Sequence, residues 1–133
     1  MPSNESKVER YAWIAWAMLF LVTAAIIASG SGRTVVPAYR EGAVYWVAGK
    51  VIYQHLGVGG FVYLPQAAIL FIPFSLLPVV AGEVLWRFVN IGVFALGLRG
   101  LARLVGARQG TGLFPLMTLI TLPLSWDCAR NGQ

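Results

Sequence analysis

The chain has 133 residues, of which 58% are hydrophobic and 11% are charged, and its mean hydropathy is +0.71. Soluble domains carry about twice that charged share, so the composition excludes an ordinary soluble domain and predicts an integral membrane protein. Ten Lys and Arg against five Asp and Glu give a net charge of +5. These basic residues lie between apolar runs, and no interleaving of Arg with aromatic residues suggests a base-stacking surface, so we expect the lipid bilayer as partner and no nucleic acid.

The chain has a single cysteine, Cys128, and a single histidine, His55. One cysteine cannot form a disulfide framework, and one histidine cannot complete a Cys/His metal site. The sequence also contains no H-E-x-x-H or G-x-S-x-G motif and no glycine-rich phosphate loop after a strand. We therefore expect neither a metal nor a cofactor.

Four apolar segments predict the membrane helices, at residues 11–29, 64–77, 79–98 and 113–126. The first and third are long enough to cross a hydrocarbon core of about 30 Å at about 1.5 Å per residue. A cleaved signal peptide is the alternative for the first, although its apolar region would be only about 7–15 residues long. The predicted fold class is all-α, a polytopic integral membrane helical bundle at the cell membrane.

The second segment, residues 64–77, is short for a full crossing, with Pro73 inside it and Pro78 after it. It either crosses a thinned bilayer or is re-entrant. If every segment crosses and the N-terminus is cytoplasmic, the arginine-rich loop at 99–108 lies outside, against the positive-inside rule. If the second segment is re-entrant, that loop returns to the cytoplasm. The sequence leaves both topologies open.

The loop at residues 30–60 is predicted to contain an amphipathic helix. Val44, Val47 and Val51 recur at helical spacing, with Tyr45 and Ala48 beside them. A polar face combined with Trp and Tyr is typical of a helix that lies in the membrane interface rather than across the membrane.

Glu41 is the candidate catalytic residue. It is the only acid between Glu9 and Glu83, in a loop rich in Tyr and Trp. Aromatic faces can hold a sugar ring while a carboxylate takes a proton from a hydroxyl. The alternative is a solvated carboxylate paired with Arg40 or Lys50.

Several other side chains are candidates for substrate binding. Glu83 and Arg87 are one helical turn apart, so they either satisfy each other as an ion pair or offer the arginine to a phosphate. Asp127 is either a functional acid or a polar group at a helix end. The predicted substrate-binding residues are Arg40, Tyr45, Trp46, His55, Tyr63 and Arg87.

The order of motifs resembles the N-terminal part of the family-87 membrane glycosyltransferases, enzymes of the GT-C class that use polyprenyl-phosphate-mannose-type donors. The similarity covers roughly residues 11–133. The motifs that carry it are V-Y-W-x-A-G-K-x-x-Y (residues 44–53), F-x-Y-x-P-x-x-A-x-L-F-x-P-x-x-x-L-P (residues 61–78), Trp86 with Asn90, and the pair Gly132-Gln133.

This resemblance implies a polyprenyl-phosphate-linked sugar donor and an acid in the first extracytoplasmic loop as general base. The family commonly has an Asp before the V-Y-x-x-A-G pattern, whereas here Glu41 is the nearest acid. The family's Y-P-P is Tyr63-Leu64-Pro65 in this chain. Many membrane helices follow the Gly-Gln pair in the family, so the resemblance also implies that this chain is an N-terminal portion completed by further helices.

Two functions of different classes are therefore predicted. The leading one is hexosyl or mannosyl transfer from a polyprenyl-phosphate sugar to an extracytoplasmic acceptor. The alternative is a non-catalytic small helical membrane subunit or a degenerate fragment, for which glycines at 92, 97 and 100 would support close helix packing. A transporter fragment is a third interpretation, based on the proline-broken helices.

Overall fold

The computed structural model describes residues 4–30, 34–53, 60–106 and 112–132. Over these ranges all regular secondary structure is helical and there is no strand, as the apolar segments predicted. The elements are α1 (Asn4–Ala28), α2 (Val36–Val47), α3 (Pro65–Ser75), α4 (Val79–Gly106), α5 (Leu113–Leu124) and α6 (Trp126–Asn131).

Helices α1 and α4 are the two, within the described ranges, that are long and apolar enough to cross a membrane. Residues Lys7–Ala28 have a mean hydropathy of 2.1, and Val79–Gly106 have 1.6. Both helices extend beyond the predicted segments, because the Lys, Arg, Glu and Leu at their ends are good helix formers. The fold is thus consistent with a helical membrane protein.

The two long helices pack antiparallel, and α5 runs alongside α1 in the same direction. Trp16 and Phe20 of α1 pack against Phe94 and Phe88 of α4, at ring-centroid distances of 5.5 and 5.4 Å. Trp16 also donates a hydrogen bond from Nε1 to Thr118 Oγ1 of α5, at 3.1 Å. The apolar core between these helices, closed by α6, consists of Ala12, Trp16, Leu19, Ile91, Ala95, Leu98, Ala102, Phe114 and Ala129.

Helix α6 was not predicted from the sequence, in which the fourth apolar segment was expected to end at residue 126. It follows α5 through Ser125, whose backbone N–H donates to the Thr121 carbonyl and whose carbonyl accepts from the Ala129 N–H. The helix ends at Gly132, which has φ +79°, a left-handed conformation that glycine adopts without strain.

Helices α2 and α3 form a second layer against the first half of α4. Their shared core consists of Val36, Tyr39, Ala43, Ile52, Phe61, Ala68 and Phe71. Trp86 of α4 joins this layer to the long helices, because its ring packs on Phe71 and Phe74, each at a centroid distance of 5.1 Å.

The loop at residues 30–60 contains a helix, as predicted, but the helix lies earlier in the loop than the valine spacing indicated. Helix α2 begins at Val36, with Pro37 in its first turn, and ends before Gly49, which has φ +64°. Its buried face includes Val36, Tyr39 and Ala43. The valines at 44, 47 and 51 that were predicted to define a helical face are 49%, 68% and 68% exposed.

Helix α3 is shorter than the predicted segment. Its 11 residues span about 16 Å, roughly half the thickness of a hydrocarbon core. Pro65 occupies its first turn, and the Leu76-Leu77-Pro78 turn leads directly into α4. The C-terminal end of α3 therefore lies against the start of α4.

The Gly82→Ala substitution should destabilise this α3–α4 contact. A Cβ at Gly82 would collide with the backbone carbonyl oxygen of Phe74, so we expect a loss of about 1–3 kcal/mol in the free energy of unfolding. Denaturant unfolding in detergent, followed by circular dichroism, measures the loss.

Gly92→Ala in the same helix is the matched control, because a Cβ there meets nothing within 4 Å. It should leave stability unchanged or raise it by up to about 1 kcal/mol, since Ala is the better helix former. Equal effects of the two substitutions would contradict the close approach of α3 to α4.

Candidate functional site

A cleft of about 330 Å³ lies between α2, α3 and the start of α4. Its walls are mostly apolar, and its polar side chains come from two helices that are about forty residues apart in sequence. The lining residues are Val36, Pro37, Arg40, Glu41, Val44, Tyr45, Phe71, Val79 and Glu83.

Glu41 and Tyr45 lie one turn apart on α2 and interact. The Tyr45 hydroxyl donates a hydrogen bond to the Glu41 carboxylate, and this bond is the main reason that the pKa of Tyr45 is raised above its ordinary value. Partial desolvation and the carboxylate charge add to the shift. Tyr45 therefore stays a neutral donor at physiological pH and holds the carboxylate in the cleft.

Arg40 precedes Glu41 and reaches across to the α3–α4 turn. Its Nη2 donates a hydrogen bond to the Leu77 carbonyl oxygen at 2.7 Å. That bond fixes the guanidinium beside the cleft. The structure describes no second acceptor for Arg40 among the residues it covers, so further N–H donors remain in reach of the cleft.

Glu83 and Arg87 form the predicted ion pair on α4, with Arg87 Nη1 3.2 Å from Glu83 Oε2. Their side chains are only 8% and 1% exposed. Each of the five guanidinium N–H groups has an acceptor in the protein, at 3.0 to 3.2 Å. These acceptors are the Glu83 carboxylate and carbonyl, Thr34 Oγ1, and the carbonyls of Ala129 and Arg130.

Arg87 thereby caps the C-terminal end of α6, where helical carbonyls lack intrahelical donors. The neighbouring carbonyls are also satisfied: Asn131 O accepts from Val35 N–H, and Gly132 O accepts from Trp86 Nε1 at 2.9 Å. A Cβ at Gly132 would lie 2.5 Å from a Val36 methyl group. Trp86 and Gly132, which both belong to the motifs that carry the family resemblance, thus contact each other.

The structure brings only some of the predicted site residues together. Arg40, Glu41 and Tyr45 line the cleft, whereas the exposed Trp46 does not. Arg87 lies behind Glu83 with its donors engaged by the protein. His55 is outside the described residues.

Tyr39 is a buried core residue of α2 that the sequence did not single out. It is buried on the other side of α2, where it packs on Tyr63 at a centroid distance of 5.0 Å and on Trp86 at 5.9 Å. Burial, with the Tyr63 hydroxyl beside it, raises the pKa of Tyr39 well above its ordinary range. The signal that could have found it is the helical spacing of Val36, Tyr39 and Ala43, which spans Pro37.

The described residues contain no group of three or more His, Cys, Asp and Glu side chains. No metal centre is therefore assigned to the cleft. Its chemistry is that of a carboxylate, an arginine and a phenol beside apolar walls.

The sequence profile of glycosyltransferase family 87 matches residues 61–133, more than half of the chain. The chain belongs to glycosyltransferase family 87. The match covers α3 to α6, with the Tyr-x-Pro run, Trp86 and Gly132. It begins after α2, so Glu41 and the pattern at 44–53 lie ahead of the matched residues.

Searches of curated proteins and of solved structures found no match. The resemblance to family 87 is confirmed over the matched residues. The GT-C class, the polyprenyl-phosphate donor and the role of Glu41 stay predictions.

Proposed function

We propose that this chain provides the acceptor-activating side of a membrane glycosyltransferase, which transfers a hexosyl group from a polyprenyl-phosphate sugar to an acceptor with inversion at the anomeric carbon. The observation that carries the proposal is the cleft in which Glu41 and Arg40 lie against α3 and α4, the helices that belong to the family match.

In this reaction the Glu41 carboxylate acts as general base and takes the proton from the acceptor hydroxyl. The acceptor oxygen then forms a bond to the anomeric carbon. The bond between that carbon and the phosphate oxygen breaks, and its electron pair leaves with the polyprenyl phosphate. The hydrogen bond from Tyr45 orients the carboxylate but does not supply a proton to the reaction.

Arg40 is the candidate for stabilising the departing lipid phosphate. Its planar guanidinium suits a phosphate, and its bond to the Leu77 carbonyl holds it in place before the substrate binds. His55 is proposed as a second phosphate ligand. Arg87 could serve in that way only by exchanging protein acceptors for phosphate oxygens.

The charge distribution supports an extracytoplasmic cleft. Because α1 and α4 are antiparallel, the start of α1 and the end of α4 lie together, and this end of the bundle carries Lys7, Arg10, Arg99 and Arg103. By the positive-inside rule we place this end in the cytoplasm. The start of α4, and the cleft with it, then lies outside, and α3 is the re-entrant segment. Further membrane helices would enclose the open cleft.

Sealed right-side-out membrane vesicles that contain the intact protein test the donor and the sidedness together. A labelled short-chain polyprenyl-phosphate sugar added outside should transfer its sugar to the acceptor, and a labelled nucleotide sugar should not. Inside-out vesicles of the same preparation serve as the control and should be inactive with the external donor.

Direct use of the nucleotide sugar would contradict the proposed donor class. Transfer by inside-out vesicles alone would contradict the sidedness. Absence of transfer in both, with the protein folded in the membrane, would favour the non-catalytic subunit.

A further inference from the structure

Two helices far apart in sequence build one basic surface at the end of the bundle opposite the cleft. We call Lys7 and Arg10 of α1, with Arg99 and Arg103 of α4, the basic end. Lys7, Arg10 and Arg103 are exposed, and Arg99 is half-buried. Among the side chains that the structure describes at this end, Glu9 is the acid, and it pairs with Arg99.

Arg99 is held in a fixed position within this surface. Its Nε donates to Glu9 Oε1, and its guanidinium carbon lies 5.8 Å from the centre of the Trp13 ring, a cation–π contact. These contacts join α1 to α4 at this level. Because Glu9 neutralises Arg99, the net positive charge of the described surface comes from Lys7, Arg10 and Arg103.

Trp and Tyr, the aromatic residues typical of a membrane interface, lie at the same level of the bundle as Arg99. Trp13 lies beneath Arg99, and Tyr11 is 67% exposed on α1. Trp and Tyr concentrate where headgroups meet hydrocarbon. The cations one turn further towards the helix ends therefore lie at the depth of lipid phosphates, provided that α1 and α4 cross the membrane.

We propose that the basic end binds the headgroups of anionic phospholipids. The charge is complementary, since three cations for which the structure describes no acidic partner side chain face a surface of phosphates. At the cleft end the described acids offset more of the positive charge: Arg87 pairs with Glu83, and Arg40 lies beside Glu41, which leaves Lys50 and Arg130 exposed. This interaction is independent of the proposed sugar transfer.

Spin-labelled lipids test the proposal with the intact protein in phosphatidylcholine vesicles. Electron paramagnetic resonance should give a higher association constant for spin-labelled phosphatidylglycerol than for spin-labelled phosphatidylcholine. In the Arg10→Gln/Arg103→Gln variant this preference should fall by up to about fivefold per removed charge at low salt. High salt should weaken the wild-type preference.

Two further variants separate charge from structure. Lys50→Gln/Arg130→Gln removes two exposed charges away from the basic end and should keep the preference. Arg10→Lys/Arg103→Lys keeps the charge and should also keep it. Equal association of the two lipids with the wild type, or an equal loss in the Lys50→Gln/Arg130→Gln variant, would overturn the proposal.

Discussion

Replacing Glu41 with glutamine should lower the rate of sugar transfer by about 10²–10⁴-fold, the usual contribution of a general base. The amide keeps the size of the side chain and can still accept a hydrogen bond from Tyr45, but it cannot take the acceptor proton. The loss should fall on kcat rather than KM, because proton removal belongs to the transition state. Initial rates with a labelled lipid-linked donor measure it.

Glu9→Gln is the matched control, since it makes the same chemical change at the opposite end of the bundle, where Glu9 pairs with Arg99. It should leave the transfer rate within the range of the wild type. Tyr45→Phe should cause a smaller loss than Glu41→Gln, because it removes only the group that orients the carboxylate. A wild-type rate for Glu41→Gln would rule out the proposed base.

The Arg87→Leu variant should be less stable than the wild type by about 3–5 kcal/mol, the cost of removing one partner of a buried ion pair. The substitution leaves the Glu83 carboxylate uncompensated and removes donors from the carbonyls at the end of α6. Denaturant unfolding in detergent, followed by circular dichroism, gives the difference in free energy.

Arg103→Leu removes an exposed arginine from the same helix and should change stability little. The double variant Glu83→Gln/Arg87→Leu should recover part of the loss, because it no longer buries an unpaired charge. If Arg87→Leu were as stable as Arg103→Leu and only donor binding suffered, Arg87 would be a phosphate ligand rather than the link between α4 and α6.

Contacts between residues within one helical turn could be predicted from the sequence. Glu83 with Arg87 follows from the spacing of the two residues, and the two long helices follow from apolar length alone. The correct face of α2 did not follow, because apolar residues on a membrane protein face either the core or the lipid. The valines at 44, 47 and 51 therefore did not indicate which face of α2 packs against the protein. For the same reason, Tyr39 was not identified as buried.

Contacts between segments that are distant in sequence could not be predicted from local sequence patterns. Arg40 bonds to the carbonyl of Leu77, 37 residues away, and the carbonyls that end α6 are satisfied by Arg87, more than 40 residues earlier. Glu41 could be singled out as the lone acid of an aromatic loop. That it shares a cleft with Glu83 depends on how α2 packs, which the sequence does not reveal.

The position of Arg87 bears on how the protein is inserted. α4 leaves the ribosome before α6, so its arginine reaches the membrane before the carbonyls of Ala129 and Arg130 have packed beside it. A lone arginine would oppose insertion, but Glu83 on the preceding turn offers a counter-charge within the same helix. Arg87 thus has a counter-charge on α4 itself, which does not depend on the packing of α6.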